Sequence, residues 1–248
     1  MARPYAVFDI DGTLIRWQLY HALADTLAKQ GIVNAERYKE VLQARFGWKE
    51  RRSANSFVDY EKALVKLIDD SLPGVDYALF SGACEKVAEK YRDQVYAFTR
   101  DLIAELKQQR YLLFAVSASP DELVGRVASY HGFDAYAGSG YEVIDGKLSG
   151  HKQVLSGPAK PKRLTELIAA HGGDQEGSIA VGDTGGDIPM LEKTAKAIAF
   201  NPSRELFERA MQNNWEVVVE RKNVVYRLKY DHGRYVLTPS ADKQTVIL

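Results

Sequence analysis

A short apolar run, Tyr5-Ala-Val-Phe8, breaks directly into Asp9-Ile-Asp11-Gly12-Thr13. Aromatic and β-branched residues in an unbroken stretch of this length predict a strand buried on both faces, as in a parallel sheet. Side chains two apart on a strand share a face and lie roughly 6.6–7 Å apart. Asp9 and Asp11 can therefore address one small site at the strand's carboxyl end, where open α/β sheets bind ligands. A turn at Asp11-Gly12 accounts for Asp11 alone. Asp9 is a carboxylate at the edge of a buried apolar run, and such a charge is costly without a partner.

Further strands of the same kind are predicted at Leu112–Val116, Ile179–Val181, Ala197–Phe200 and Trp215–Val219, each ending in polar or glycine-containing sequence. Ser117 stands at the end of the first of these. Ser119 to Glu122, with Pro120 between, reads as a capping box opening a helix, which gives Ser119 a structural task and leaves Ser117 without one. Gly182-Asp183 ends the Ile179 strand, and a glycine-rich turn carries Asp187 into a helix containing Pro189. Asp187 could serve as an N-cap; Asp183 has no comparable local role. Three lysines lie between these strands. At helical spacing Lys160 falls on the inward face with Leu164 and Leu167, whereas Lys162 points outward with Thr165 and Glu166, and Lys152 lies beside a hairpin turning at Asp145-Gly146.

Nearly a hundred residues separate the first strand from Leu112, far more than the about 10–12 a crossover needs. They read as helices: Leu19, Leu23 and Leu27; then Tyr38, Val41, Leu42 and Phe46 behind an Asn34 cap; then Tyr60, Leu64, Leu67 and Ile68; then Phe80, Cys84, Val87, Ala88 and Tyr91. Phe98, Leu102, Ile103 and Leu106 belong to a helix returning to the sheet. Val224–Tyr230 and Tyr235–Leu237 predict a C-terminal hairpin turning near Asp231-His-Gly233, followed by a polar tail.

Asp9 to Thr13, Ser117, Lys160 and the Gly182-Asp183…Asp187 run, in that order, resemble the four motifs of the haloacid dehalogenase superfamily. The cap position, the Val-Ser-Ala-Ser run and the Asp-Gly hairpin resemble the subfamily that contains phosphoserine phosphatases. The resemblance implies an α/β fold: a Rossmann-like, doubly wound parallel sheet (residues 1–15 and 98–222), an all-helical cap inserted at 16–97, and a C-terminal hairpin and tail at 223–248. It implies an enzyme, a phosphatase of small-molecule phosphomonoesters that works through an aspartyl-phosphate. Asp9 is then the nucleophile and Asp11 the general acid and base. Ser117 and Lys160 hold the phosphoryl group. Asp9, the backbone carbonyl of Asp11, and Asp183 hold the metal, with Asp187 supporting. Four carboxylates around one lysine would repel each other and the substrate, and an all-oxygen set suits Mg²⁺. Phosphotransfer to an acceptor other than water and a non-catalytic phosphate-binding module are the competing readings.

Trp17, Gln18 and Tyr20 are possible substrate contacts. Gln18 stands where phosphoserine phosphatases carry a glutamate, and Arg45, Arg51 and Arg52 read as a solvated basic face. Phosphoserine is therefore not the expected substrate. Of 248 residues 46% are hydrophobic and 27% charged, with 33 basic balancing 33 acidic. That balance gives no basic stripe for nucleic acid, and no stretch approaches the roughly 18 apolar residues of a membrane span. Cys84 is the only cysteine, which rules out an intrachain disulfide. The expected location is the cytoplasm; the oligomeric state is not legible.

Overall fold

The computed structural model describes residues 2–53 and 56–238. Its centre is a nine-stranded sheet of order β4-β3-β2-β1-β5-β6-β7-β8-β9. The strands are β1 (Arg3–Phe8), β2 (Leu112–Pro120), β3 (Ala135–Ile144), β4 (Lys147–Gln153), β5 (Gly173–Gly182), β6 (Lys196–Phe200), β7 (Glu216–Arg221), β8 (Val224–Asp231) and β9 (Arg234–Leu237). From β3 through β7 every neighbouring pair is parallel, while β4, β8 and β9 add antiparallel edges. β1 lies between β2 and β5, so the strand order reverses beside it. That reversal opens a crevice at the strands' carboxyl ends.

The period-2 alternation of β1 divides the core. Ala6 and Phe8 face one hydrophobic cluster, and Tyr5 and Val7 face the other. On the first face lie α5 (Ala97–Gln108) and α6 (Asp121–Tyr130); on the second lie α7 (Ala159–His171), the short α8 (Ile188–Leu191) and α9 (Arg204–Asn213). This is a doubly wound α/β fold. The predicted C-terminal hairpin is present as β8 and β9, with His232 and Gly233 at positive φ in its turn, and it extends the central sheet by pairing β8 with β7. The polar tail lies outside the described residues.

Between β1 and α5 come four helices: α1 (Leu19–Lys29), α2 (Ala35–Lys49), α3 (Ser56–Ser71) and α4 (Tyr77–Tyr91). Asn34 caps α2 as its sequence predicts, its side chain accepting from Glu36 N and Arg37 N. The stripes of α1 and α3 are buried as predicted, and that of α4 is buried through Ala88, with Tyr91 at its end half-buried. That of α2 is not, since Val41 is its buried residue and Phe46 is 58% exposed. The segments entering and leaving these helices run side by side, Arg16 N donating to Gln94 O and Tyr96 N to Leu14 O. α5 has no side-chain cap of its own; Glu220 on β7 accepts from Ala97 N and Phe98 N instead. The α3–α4 loop is tied to the β3–β4 hairpin through Gly74 N to Leu148 O, Leu148 N to Val75 O and Tyr77 N to Gly146 O.

Candidate active site

The ends of β1 and β5 meet in the crevice. Phe8 pairs with Val181, and Asp9 N donates to Val181 O at 3.0 Å. Gly12 follows at φ +82°, and a Cβ there would stand 2.3 Å from Asp183 Oδ2. Glycine is therefore required on two counts, the left-handed backbone and the close approach of the turn to Asp183. Thr13 Oγ1 donates to Asp183 Oδ1 at 3.1 Å.

Lys160 is buried at the start of α7, on the face it shares with Leu164 and Leu167; Lys162 is exposed. Its ammonium donates to Asp9 Oδ1 at 2.7 Å and to Asp187 Oδ1 at 2.6 Å. The other oxygen of Asp187 accepts from Asp183 N, Thr184 N and Thr184 Oγ1. Asp187 thus closes a capping box with Thr184 and also braces Lys160. Its two oxygens are engaged by protein donors, whereas the Oδ2 atoms of Asp9 and Asp183 accept no hydrogen bond among the described residues. Carboxylate oxygens of Asp9, Asp183 and Asp187 lie within 4.8 Å of one another.

The site carries surplus negative charge. Burial pushes the Asp9 carboxyl up to about 8; Lys160 pulls it down, while Asp187 and Asp11 add to the rise. Asp183 is held well above the usual carboxylate range, by burial first and then by Asp9 and Asp187. Burial would lower Lys160, but Asp187 and Asp9 outweigh it and hold the ammonium above its ordinary range.

Asp11 faces a different set of partners. Its Oδ1 accepts from Leu19 N at 2.5 Å, at the amino end of α1. Its Oδ2 accepts from Ser117 Oγ at 2.9 Å and Ser119 Oγ at 2.8 Å. Burial raises its carboxyl, and the donors from Leu19, Ser119 and Ser117 oppose the rise. Ser119 corrects the sequence expectation. β2 continues through Pro120, α6 begins at Asp121 without a side-chain cap, and Ser119 is a buried partner of Asp11.

The remaining candidates separate. Trp17 and Gln18 line a cavity of about 260 Å³ beside Gly12. Tyr20 is elsewhere, its hydroxyl bonded with Asp69, Tyr141 and Lys152 between the helices and the β3–β4 hairpin. Arg45 also departs from expectation. Its side chain is 14% exposed and its guanidinium lies 5.6 Å from the Trp17 ring, on the cavity wall. Arg51 and Arg52 are exposed, as a solvated face requires.

A family model described as haloacid dehalogenase-like hydrolase matches residues 6–192. A Mycobacterium tuberculosis protein described as a probable phosphatase is 29% identical over 219 residues, covering 88% of this chain and 75% of that protein. A phosphoserine phosphatase of Methanocaldococcus jannaschii is 27% identical over 226 residues, covering 90% and 95%. The fold is that of a solved phospho-aspartyl intermediate analogue of phosphoserine phosphatase, with a TM-score of 0.62 at 23% identity, covering 90% of this chain and 95% of that one.

Proposed function

This chain belongs to the haloacid dehalogenase-like hydrolase family, and on that footing we propose that it is a Mg²⁺-dependent phosphatase that hydrolyses a small-molecule phosphomonoester through a phosphoryl group carried on Asp9. The observation that carries the reading is the division of labour between the two leading aspartates. Asp9 sits with Lys160 in the acidic group, and Asp11, two residues on, sits among hydroxyl and amide donors.

The donor set fits a hard divalent cation. It is all oxygen, it has more negative charge than Lys160 neutralises, and Asp9 and Asp183 each keep an oxygen free of protein donors. Asp9, Asp183 and the backbone carbonyl of Asp11 would hold Mg²⁺, and Asp187 orients Lys160. When bound, Mg²⁺ would supply charge neutralisation and keep Asp9 ionised.

The chain's own residues supply the rest. An Asp9 carboxylate oxygen attacks phosphorus while the bond to the leaving alcohol oxygen breaks. Asp11, whose carboxyl is raised by burial, donates its proton to that oxygen. It is left as a carboxylate stabilised by Leu19 N–H and the Ser119 hydroxyl, the single Ser117 proton turning to the phosphoryl group when substrate is bound. It then takes a proton from water as that water attacks phosphorus, and the Asp9–phosphate bond breaks to release inorganic phosphate. Lys160 and Ser117 offset charge on the phosphoryl oxygens.

The test is hydrolysis of 4-nitrophenyl phosphate with Mg²⁺ and with chelator, together with acid-quench trapping of labelled phosphoenzyme. Mg²⁺-dependent turnover with a trapped phosphoenzyme that disappears in Asp9→Asn supports the reading. Phosphoenzyme persisting in Asp9→Asn overturns it. Adding alcohols and finding transferred phosphate in preference to inorganic phosphate would reassign the chain as a phosphotransferase.

A further inference from the structure

We propose that Lys152 is a positioning residue: it latches the helical insert onto the sheet through Asp69, Tyr20 and Tyr141, and by seating α1 it holds the Leu19 N–H on Asp11. The latch stands on its contacts alone, whereas its effect on the reaction rests on the phosphatase reading.

The contacts join two strands to three helices. Tyr141 on β3 and Lys152 on β4 stand directly opposite each other in the antiparallel ladder. His151 and Gln153 on either side are exposed, so the strand's period of 2 turns Lys152 to the face on which Leu148 is buried. The Lys152 ammonium donates to Tyr20 OH at 2.9 Å and reaches Asp69 Oδ1 and Oδ2 at 3.1 and 3.3 Å. It also lies 5.0 Å from the Tyr20 ring centroid and 5.2 Å from that of Tyr141, within cation–π range. The two phenol oxygens are 2.7 Å apart, and each is 3.2 Å from Asp69 Oδ1. With one proton apiece, one phenol donates to the other, which donates to the carboxylate. Tyr141 also meets Phe80 edge-on, with ring centroids 5.2 Å apart. Two residues of the hairpin thus touch α1, α3 and α4.

Three features separate this cluster from an ordinary surface pair. The Lys152 side chain is 9% exposed, so its charge depends on Asp69 and the hydroxyls rather than on water. Among the described residues, Lys152 and Asp69 form the one ion pair that joins the helical insert to the sheet. Asp70, next in sequence, pairs instead with Arg37 and Lys66 of the insert itself. The third feature is what the latch holds. Leu19 and Tyr20 open α1, and Gln18 supplies no side-chain cap there. The Asp11 carboxylate takes that role by accepting from Leu19 N. The first turn of α1 is therefore held between Asp11 on one side and Lys152 on the other. The hairpin is a fixed post for this, because Leu148 is bonded to Gly74 and Val75 of the α3–α4 loop. Loss of the Lys152 charge leaves Asp69 without its cation, frees α1 to tilt and loosens the donor on Asp11.

The test is Lys152→Met, with Asp69→Asn and the double variant, read in two ways. Hydrogen exchange resolved by NMR should show the Leu19 amide exchanging at least tenfold faster than in wild type, with the β1 and β5 amides unchanged. Phosphoenzyme formation in a single turnover with Mg²⁺ should slow at least tenfold for an alkyl phosphate. That defect should be at least three times the defect for 4-nitrophenyl phosphate, because Asp11 serves the alkyl leaving group. Asp69→Asn should give the same pattern, and the double variant should be no worse than the worse single one, since the pair acts as a unit. Lys152→Arg, which keeps the charge, should recover most of both losses. Unchanged Leu19 exchange, or a rise that includes β1 and β5 equally, would overturn the proposal. So would equal losses for the two esters or additive losses in the double variant. Should Lys152→Met not fold, Asp69→Asn, at a position 35% exposed, carries the same comparison. Absence of 4-nitrophenyl phosphate hydrolysis by wild type would sink the phosphatase reading separately, and Leu19 exchange would still decide the latch.

Discussion

Lys160 Nζ donates to Asp9 Oδ1 across 2.7 Å, joining the amino end of α7 to the carboxyl end of β1. Both side chains are buried, at 5% and 7% exposure. A cation at a helix amino terminus opposes the helix dipole, and Asp9 and Asp187 offset that cost. The contact therefore supports the fold and the proposed chemistry together.

Lys160→Ala should lose most activity, by roughly 30- to 1,000-fold in kcat, the range for removing a charged donor from a desolvated site. It should also destabilise the metal-free protein, because it leaves buried carboxylates unpaired, a change typically costing about 3–5 kcal/mol. Lys162→Ala, at an exposed position, should match wild type in both respects. Steady-state kinetics and thermal denaturation check the pair. A larger defect in Lys162→Ala would mean that the helix face is assigned to the wrong lysine.

The acidic group predicts a pH-dependent stability that Mg²⁺ corrects. Asp9 is raised to about 8 and Asp183 well above its usual range, so these two carboxyls bind more protons in the folded than in the unfolded state between about pH 4 and pH 8. Below about pH 6.5 the buried His21 and His131, whose pKa values are lowered, oppose that slope, so stability of the metal-free protein should fall as pH rises from about 6.5 to 8. Lys160 is protonated in both states there and adds no slope. A cation bound only by the folded state reverses the loss. The melting-temperature gain on adding Mg²⁺ should be larger at pH 8 than at pH 5.5; an equal gain at both values would contradict it.

What the sequence makes legible follows from which interactions are local. The two faces of β1 are readable because alternation is a property of six consecutive residues, and Lys160 is separable from Lys162 because Leu164 and Leu167 set the helical phase. Ser119 was not readable. Ser119 to Glu122 is a good local capping pattern, and it loses to a hydrogen bond with Asp11, 108 residues away. Arg45 is misread by its charged neighbours Arg51 and Arg52. It stands four residues, about one helical turn, after Val41, the buried residue of α2, and that spacing is the available signal. Which strand the C-terminal hairpin joins depends on β7, and nothing within Val224–Leu237 specifies it.

Ser119 allows a further prediction. Its hydroxyl and that of Ser117 favour the ionised form of Asp11, so removing either should raise the Asp11 pKa. Hydrolysis of the phosphoenzyme needs ionised Asp11, and the acidic limb of its pH profile should move to higher pH in Ser119→Ala. Ser117→Ala should show a smaller shift and weaker phosphate binding, since the single Ser117 proton is also the proposed phosphoryl contact. Single-turnover dephosphorylation across pH measures this. An unmoved limb in Ser119→Ala would leave that hydrogen bond structural.

The two leading aspartates give the sharpest test, because they lie on one strand end yet face different partners. Asp9→Asn removes the nucleophile and a proposed metal ligand, so activity should fall to background and no phosphoenzyme should form. Asp11→Asn should leave Mg²⁺ binding nearly intact, since the Asp11 side chain is engaged by Leu19, Ser117 and Ser119 and lies outside the acidic group. What it removes is proton transfer, worth typically 10²–10⁴-fold. The leaving group exposes that role. An alkyl alkoxide needs protonation as it departs, whereas 4-nitrophenolate leaves readily without it. The Asp11→Asn defect in forming the phosphoenzyme should therefore be larger for an alkyl phosphate than for 4-nitrophenyl phosphate. Single-turnover kinetics on both esters, following the phosphoenzyme directly, decides the matter. Equal defects for the two esters would remove Asp11 as general acid and leave its carboxylate a structural anchor for α1.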